Sequence, residues 1–598
     1  MAQRVTKAIN AEIHGLTGRV ESCDAFFDNA IDHIRDIFLA GRPLIGLCAA
    51  GILIRAVAPH LADKRDEPPV LAVAEDGSAV VPLIGGHRGA NAMAQRIAHV
   101  LGVAPAITTA GDSAFGVALD DPPPGWRLAD TSAAKDAMAA LLAGCPARLS
   151  GAVPDWLAPL VATGQIAVSS GASAVRLQVE NAPPLDYHPR TAILGVGCAR
   201  NCPPEELARL AEAALAEAEI DKATLAGIAS LDLKADEAAV TALAAELALP
   251  TTFFSAEALE AETPRLATPS DIVFSEVGCH GVAEGAALAA AGSDATLRLA
   301  KRKTARATVA IAEAPAPIAA LPGRPRGHLA IVGIGPGQSA WRTPEATRLI
   351  AAAEELVGYA LYLDLLGPLA GGKPRSEFAL GEEEARCRYA LERAGEGRRI
   401  ALISSGDAGI YAMGALVFEL LDRPAAAHGI SAAARRVEVV TAPGITAMQA
   451  AAARAGAPLG HDFCAISLSD LLTPRADILR RVRAAAEGDF VVAFYNPVSM
   501  RRRVLLAEAR EILLAHRPAE TPVLLAANLG RPEERSVHRT LEDLRVEEVD
   551  MLTTVIVGST VSRVVELGDG PRFYTPRGYA AKHTTVEATG AAVAEDQR

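Results

Sequence analysis

Along the second half of the chain, apolar runs stop abruptly at glycine. Residues 328 to 333, HLAIVG, read as a buried strand that carries no polar side chain after His328, and the strand runs into IGPG at 334 to 337. The pattern returns where further apolar strands feed SSGDAGIY (404 to 411), TAPGITAM (441 to 448) and AFYNP (493 to 497). Glycine at a strand end lets bare backbone N–H groups approach a ligand. The first loop is not the dinucleotide fingerprint, because Gly333, Gly335 and Gly337 fall at spacing two and Pro336 stiffens the turn where that fingerprint opens a helix. A helix is expected over 409 to 421, behind the second loop. In the first half, TAILGVGC (191 to 198) reads as a strand with a helix starting near Pro204, and GGHRGAN (85 to 91) as a glycine-rich loop before a helix.

Proline and glycine mark the breaks. The clearest is EAPAPIAALPGRPRG (313 to 327), with others at VENAPPLDYHPR (179 to 190) and AGDSAFGVALDDPPPGW (110 to 126). They divide the chain into units at 1–111, 112–190 and 191–312, a linker at 313–326, two parts at 327–441 and 442–582, and a tail at 583–598.

Composition fits this division. At 598 residues the chain is too long for one core. Apolar residues make up 50% and aromatics 4%, with alanine abundant throughout, so an α/β class of helices on several small parallel sheets is expected. A net charge of −13 argues against a general nucleic-acid binder, while local arginine clusters can still attract an anionic small molecule. The longest apolar stretches, such as LIGLCAAGILI (44 to 54), fall short of the about 20 residues that span a bilayer, so no membrane partner is expected. The N-terminus shows no basic segment followed by an apolar core and a cleavage site, so a cytoplasmic location is expected. Eight scattered cysteines read as reduced thiols.

Taken together, the four loops resemble the tetrapyrrole methyltransferases, S-adenosylmethionine enzymes of cobalamin and sirohaem synthesis. The resemblance runs from residue 328 to about 582. SLSDLLTP (467 to 474), FYNP (494 to 497) and TPRGY (575 to 579) are similar, within that family, to precorrin-3B C(17)-methyltransferase, which methylates and contracts the ring. The resemblance implies the two-lobed class III fold, with lobes at 327–441 and 442–582 and S-adenosyl-L-methionine between them. It implies that Pro336, Ser405, Gly406, Asp407 and Ile410 surround the cofactor, that Thr446 and Ala447 add a second backbone contact, and that Phe494, Leu529, Thr554 and Val555 lie near the adenine or the cofactor's far side. It further implies a homodimer through this half and a polycarboxylate tetrapyrrole of the precorrin type as substrate; on the charge and apolar-stretch grounds above, no nucleic acid and no membrane are expected as partners. Asp407 could equally cap the helix of 409 to 421.

A carboxylate-rich substrate calls for planar, forked cations, and Arg475, Arg501 and Arg577 are the leading candidates, with Arg480, Arg481, Arg502 and Arg503 behind them. Arginines 480 to 483 also read as the solvated face of a helix. Asp470 is the candidate for proton movement during ring contraction, followed by Tyr495 and His461, or else it caps the next turn. Another precorrin, or even RNA, is the alternative acceptor, which the FYNP and TPRGY runs argue against.

In the first half, GLCAAGILIRAVAP (46 to 59), VVPLIGGHRGANAMAQRIA (80 to 98), LGVGC (194 to 198), SLDLKADE (230 to 237) and SEVGCHGVAEGAAL (275 to 288) resemble cobalt-precorrin-5A hydrolase, which opens a ring lactone and releases a two-carbon fragment. Lactone opening needs water, a group that handles protons and donors for the oxyanion. His87 in the glycine-rich loop, and His280 with Glu284 on one face of a helix, are the candidates. Lys234, Asp236 and Glu237 form a polar run that could start a helix. Cys198, Cys202 and Cys279 with His280 suggest zinc, but two of these positions are adjacent, which strains a tetrahedral site, so buried thiols and no metal are expected. A non-catalytic corrinoid carrier is the alternative for this half.

Overall fold

All six residues of His328–Gly333 are buried. In this computed structural model the strand lies inside a five-stranded parallel sheet, between Arg399–Ser404 and Glu438–Ala442, with Glu355–Gly358 and Arg375–Glu377 beyond. The structure describes residues 1–61, 67–108, 115, 117–164, 166–169, 175–499 and 503–579. Strand alternation sends Ala330 and Val332 into a core with Ile350 and Leu363, and Leu329 and Ile331 into a second core with Leu391 and Val417. The chain leaves the inner strand in one direction and later returns on its other side. That order brings the carboxyl ends of His328–Gly333, Arg399–Ser404 and Glu438–Ala442 side by side. Open α/β sheets hold ligands in the crevice outside such ends.

A second five-stranded sheet follows, in which Phe463–Ser467 pairs parallel with Val491–Tyr495, and Thr553–Val557, Pro522–Ala527 and Arg535–Thr540 add antiparallel. One face is covered by Arg475–Glu487 and Val504–Leu514, and the other by Ala447–Ala455.

Among the described residues the first half builds four more sheets, the smallest being the parallel pair His14–Leu16 and Ala25–Phe27. Leu44–Leu47, Val70–Val73 and Val80–Ile84 form one of three strands. Trp126–Leu128, Ala147–Ser150, Ile166–Ser169, Val175–Val179 and Leu185–Pro189 form a five-stranded sheet around the buried Tyr187, whose hydroxyl donates to the Leu119 carbonyl at 2.7 Å. Ala192–Cys198 lies inside the fourth, followed by the expected helix, Pro204–Ala218.

These units pack against one another. Ala40, just past the helix Ala30–Leu39, is buried in the same core as Ile350 and Leu369 of the parallel sheet. Arg42 donates to the Gly371 carbonyl at 3.3 Å and to Glu12 at 3.1 Å, and Asp36 stands 3.9 Å from the buried Arg342 guanidinium. The proline-rich segment is pinned as well. Arg324 exchanges backbone hydrogen bonds with Phe253 at 2.7 and 2.9 Å, and Ile318 donates to the Arg190 carbonyl at 2.9 Å.

One buried charge organises the first parallel sheet. Glu355, 2% exposed, accepts from Arg398 at 2.8 Å, from two nitrogens of Arg393 at 3.2 Å, and from the Tyr389 and Ser376 hydroxyls at 2.8 Å each. Removing one member of such a cluster leaves the others desolvated without a counter-charge. Glu355→Ala should therefore cost about 3 kcal/mol in denaturant unfolding. Glu377→Ala, which removes a surface partner of Arg375, should cost under about 1 kcal/mol. Equal losses from the two changes would show that the cluster has no special weight.

Candidate functional site

The site begins with three backbones meeting. A Cβ placed on Gly333 would lie 2.7 Å from the Gly406 carbonyl oxygen and 2.9 Å from the Gly444 nitrogen, and one on Gly444 would lie 2.1 Å from that same oxygen. Side chains do not fit at these distances, so glycine is required for packing at both positions. Gly335 and Gly406 have φ of 74° and 69° and exchange two backbone hydrogen bonds, at 3.1 and 2.8 Å. The loops after the first and second of these adjacent strands are thus zipped together.

Asp407 ties in the third loop. One carboxylate oxygen accepts from the Gly409 N–H at 2.8 Å and the other from the Gly444 N–H at 3.0 Å. It does not cap the following helix. That helix runs Met413–Asp422 instead of starting at 409, because the chain first turns through Tyr411, at φ 51°. Thr446 is buried at the N-cap of Ala447–Ala455, so Ala447 opens that helix. The Thr446 hydroxyl bonds the Tyr495 phenol, which also accepts from the Met448 N–H at 3.1 Å. Burial, against the pull of these two bonds, raises the Tyr495 pKa. Through this phenol the FYNP loop of the second sheet fixes a helix start beside the glycine loops.

The remaining expected cofactor residues divide. Pro336 is buried and its carbonyl accepts from Arg531 at 2.7 Å, while the Ser405 hydroxyl accepts from the same guanidinium at 2.9 Å. Ile410 is exposed at the edge of the second loop. Leu529 packs with Met448 and Tyr495 on the face covered by Ala447–Ala455, and Thr554 is buried. Phe494 and Val555 are fully buried on the opposite face with Ile478 and Leu506, and they pair with each other in the ladder. Alternation along the strand turns both side chains away from the loops.

Among the expected substrate cations, Arg475 is ion-paired with Glu508, Arg480 bonds Asp477 at 3.1 Å, and Arg577 is exposed in its loop. Arg501 and Arg502 lie outside the described residues. Asp470 is half-buried beside Leu471 and Leu472, which are 77% and 93% exposed. His461 accepts from the Asp462 N–H at 2.8 Å in an exposed turn.

In the first half, His87 belongs to a short 3-10 turn before the helix Ala90–Leu101, and its side chain lies outside the described residues. His280 and Glu284 do not share a helix face. The helix starts at Val282, after the extended Gly281, so His280 precedes it. His280 Nδ1 lies 2.9 Å from the Glu260 carboxylate, its ring stacks on Phe274 at 4.5 Å, and Nε2 is 3.5 Å from Asp271. This histidine–carboxylate pair, with one ring nitrogen left toward Asp271, is an arrangement able to move protons. Glu260 was not legible in advance, because it comes from a separate short helix, Ala256–Glu260.

Glu284 is 1% exposed and accepts from the Ala267, Thr268 and Lys301 N–H groups and the Thr268 hydroxyl, all at 2.8 to 2.9 Å. Burial pushes its pKa up, but these bonds outweigh burial and hold it below the usual value. Its carboxylate anchors a loop and a strand. Glu237, at the N-cap of Ala238–Leu247, is likewise buried and paired with Arg200 at 3.1 Å. Cys202 and Cys279 lie in cores on opposite faces of one sheet, and burial raises the Cys198 thiol to about 11. Among the described residues no group of three or more His, Cys, Asp or Glu is placed to hold a metal, and no helix is long and apolar enough to cross a membrane.

Two α/β lobes, with glycine loops meeting at adjacent strand ends of the first, define an open α/β class with a crevice at its switch point. The chain belongs to the tetrapyrrole (corrin/porphyrin) methylases, whose family model matches residues 328–545. Its first half matches the cobalamin synthesis G N-terminal model at 32–112 and the cobalamin synthesis G C-terminus model at 192–312. It is similar to the precorrin-3B C(17)-methyltransferase of Sinorhizobium sp, at 46% identity over 42% of this chain and 98% of the relative. It is also similar to a probable cobalt-factor III C(17)-methyltransferase of Salmonella typhimurium, at 46% identity over 42% of this chain and 99% of the relative. The crystal structure of the methyltransferase CobJ matches at 41% identity over 42% of this chain and 100% of that chain, with a TM-score of 0.38.

Two substitutions test this account. Gly444→Ala should cost about 3 kcal/mol of stability, whereas Gly568→Ala, with open space around it, should stay within about 0.5 kcal/mol. Comparable unfolding midpoints for the two would refute the backbone contact. Glu284→Gln should cost about 2 kcal/mol at neutral pH, since an amide turns a donor toward N–H groups. Glu284 is depressed in the folded state, so its stabilisation is present above the unfolded value of 4.5 and is lost as pH falls through the folded value. The deficit of the variant should shrink over that acid range, and a loss of turnover with unchanged stability would point to catalysis.

Proposed function

We propose that this protein is a bifunctional enzyme of cobalamin biosynthesis. Its second half methylates precorrin-3B at ring carbon 17, with ring contraction to precorrin-4, and its first half hydrolyses the lactone of cobalt-precorrin-5A. The observation that carries the methyltransferase reading is the cradle at Gly333, Gly406 and Gly444, in a half of the chain that is 46% identical to a named C(17)-methyltransferase over 98% of that relative's length.

The cradle fits S-adenosylmethionine, because bare backbone reaches the loop surface there and no ionised triad is built into it. Pro336, Ser405, Gly406, Asp407, Ile410, Thr446, Ala447, Leu529 and Thr554 would hold the group, which supplies an electrophilic methyl on a neutral leaving group. Phe494 and Val555 support that surface from behind. Asp407 keeps the second and third loops at fixed spacing, so donor and acceptor meet with little reorganisation. Exposed Arg577 contributes to carboxylate recognition, and half-buried Asp470 is the group for proton movement in ring contraction. In the first half, His280, oriented by Glu260, is the leading general base. The protein acts as a homodimer through its second half.

Incubation of the full chain with S-adenosylmethionine and either precorrin-3B or cobalt-factor III, followed by mass and absorbance analysis, tests the transferase. One added methyl group and a contracted-ring spectrum are expected with one of the two acceptors, and no methylation of either would sink the assignment. Cobalt-precorrin-5A should separately release acetaldehyde, and binding without release would favour a carrier.

A further inference from the structure

Arg531 comes from the second sheet but belongs to the first. The strand Pro522–Ala527 ends in a tight turn in which Asn528 and Gly530 have φ of 52° and 67°. The turn is held by Glu534, which accepts from the Gly530 N–H at 2.7 Å and is itself bonded to Arg454. From it Arg531 reaches across to donate to the Pro336 carbonyl and the Ser405 hydroxyl, at 2.7 and 2.9 Å. Approach is close enough that a Cβ on Gly337 would lie 2.6 Å from both the Gly530 carbonyl oxygen and Arg531 Cγ.

Both acceptors are neutral. Among the described residues no carboxylate pairs with this guanidinium, in contrast to Arg393, Arg398 and Arg475. Two of its five N–H groups are used, and the fork is held rigidly, half-buried, beside the loops after His328–Gly333 and Arg399–Ser404. A fixed, partly desolvated cation with donors to spare is a receptor for a carboxylate.

We propose that Arg531 binds a carboxylate of a ligand held between the two lobes, in addition to latching the second lobe onto the first. The inference rests on the methyltransferase reading. Two carboxylates can arrive there, that of the donor's methionine moiety and a peripheral acetate or propionate of the tetrapyrrole, and both have the chemistry the fork recognises.

Calorimetry on the full chain separates them. S-adenosylhomocysteine carries the amino-acid carboxylate and 5′-methylthioadenosine lacks it. If the donor's carboxylate is bound, Arg531→Gln, which keeps a neutral donor in place, should weaken S-adenosylhomocysteine about tenfold or more and leave methylthioadenosine within twofold. If the tetrapyrrole's is bound, both nucleosides should keep their affinity while the acceptor KM rises about tenfold or more. Arg531→Lys, which retains charge without the fork, should recover part of whichever loss is seen. Equal weakening of both nucleosides would reduce Arg531 to a structural latch and overturn the proposal, as would unchanged affinities and KM in a folded variant. If the wild-type protein binds neither nucleoside, the methyltransferase reading itself fails and this inference falls with it.

Discussion

Close approach of backbone to backbone at Gly333, Gly406 and Gly444 is the constraint on which the rest of the second half depends. Strand pairing puts Gly333 opposite Ser404, so the two loops leave the sheet at one level. A slip of one residue would replace Gly333 at the contact and turn each strand's apolar set to the wrong face. With no room for side chains at the contact, hydrogen bonds fix the loops to one another there. The Gly335–Gly406 exchange joins the first two, and Asp407 joins the third. A main-chain surface of this kind suits a reaction in which positioning supplies most of the catalysis.

The glycine loops were legible in the sequence because their conformational demands are local, a strand running into residues that tolerate left-handed φ or crowding. Their partners were not. Asp407 reaches Gly444, 37 residues on, and Arg531 reaches Ser405, 126 residues back. No single sequence displays pairs so distant. The helix after the second loop starts four residues later than its apolar pattern suggests, since Tyr411 takes a left-handed turn that side-chain periodicity does not reveal. Phe494 and Val555 show a related limit. Alternation says that neighbours face opposite ways, but which face meets the loops is decided by where Ala447–Ala455 packs.

The proline-rich segment at 313–327 reads as a tether and behaves as a strap. Extended, proline-restricted chain loses little further entropy when pinned, which suits it to the backbone bridge with Phe253. At the other end of the first half, Ala40 enters the core of the parallel sheet, and Asp36 faces the buried Arg342, six residues past Pro336. The N-terminal unit therefore lies against the segment that follows the first glycine loop. Fusion has given the second half a packed neighbour in addition to a covalent link.

Charge sets a last constraint on how a polyanionic acceptor is recognised. With 71 acidic against 58 basic residues, the average field repels it, and only screening beyond about 8 Å at physiological salt lets it approach. Recognition must then come from individual cations at contact distance. Many arginines are already committed, Arg393 and Arg398 to Glu355 and Arg475 to Glu508, while Arg517 donates to the carbonyls of Gly558, Ala485 and Phe490. Arginine content near a cleft is thus a poor guide to where carboxylates bind. The informative property is a guanidinium whose own protein offers it no acid, because only there does an incoming carboxylate gain an ion pair without first breaking one.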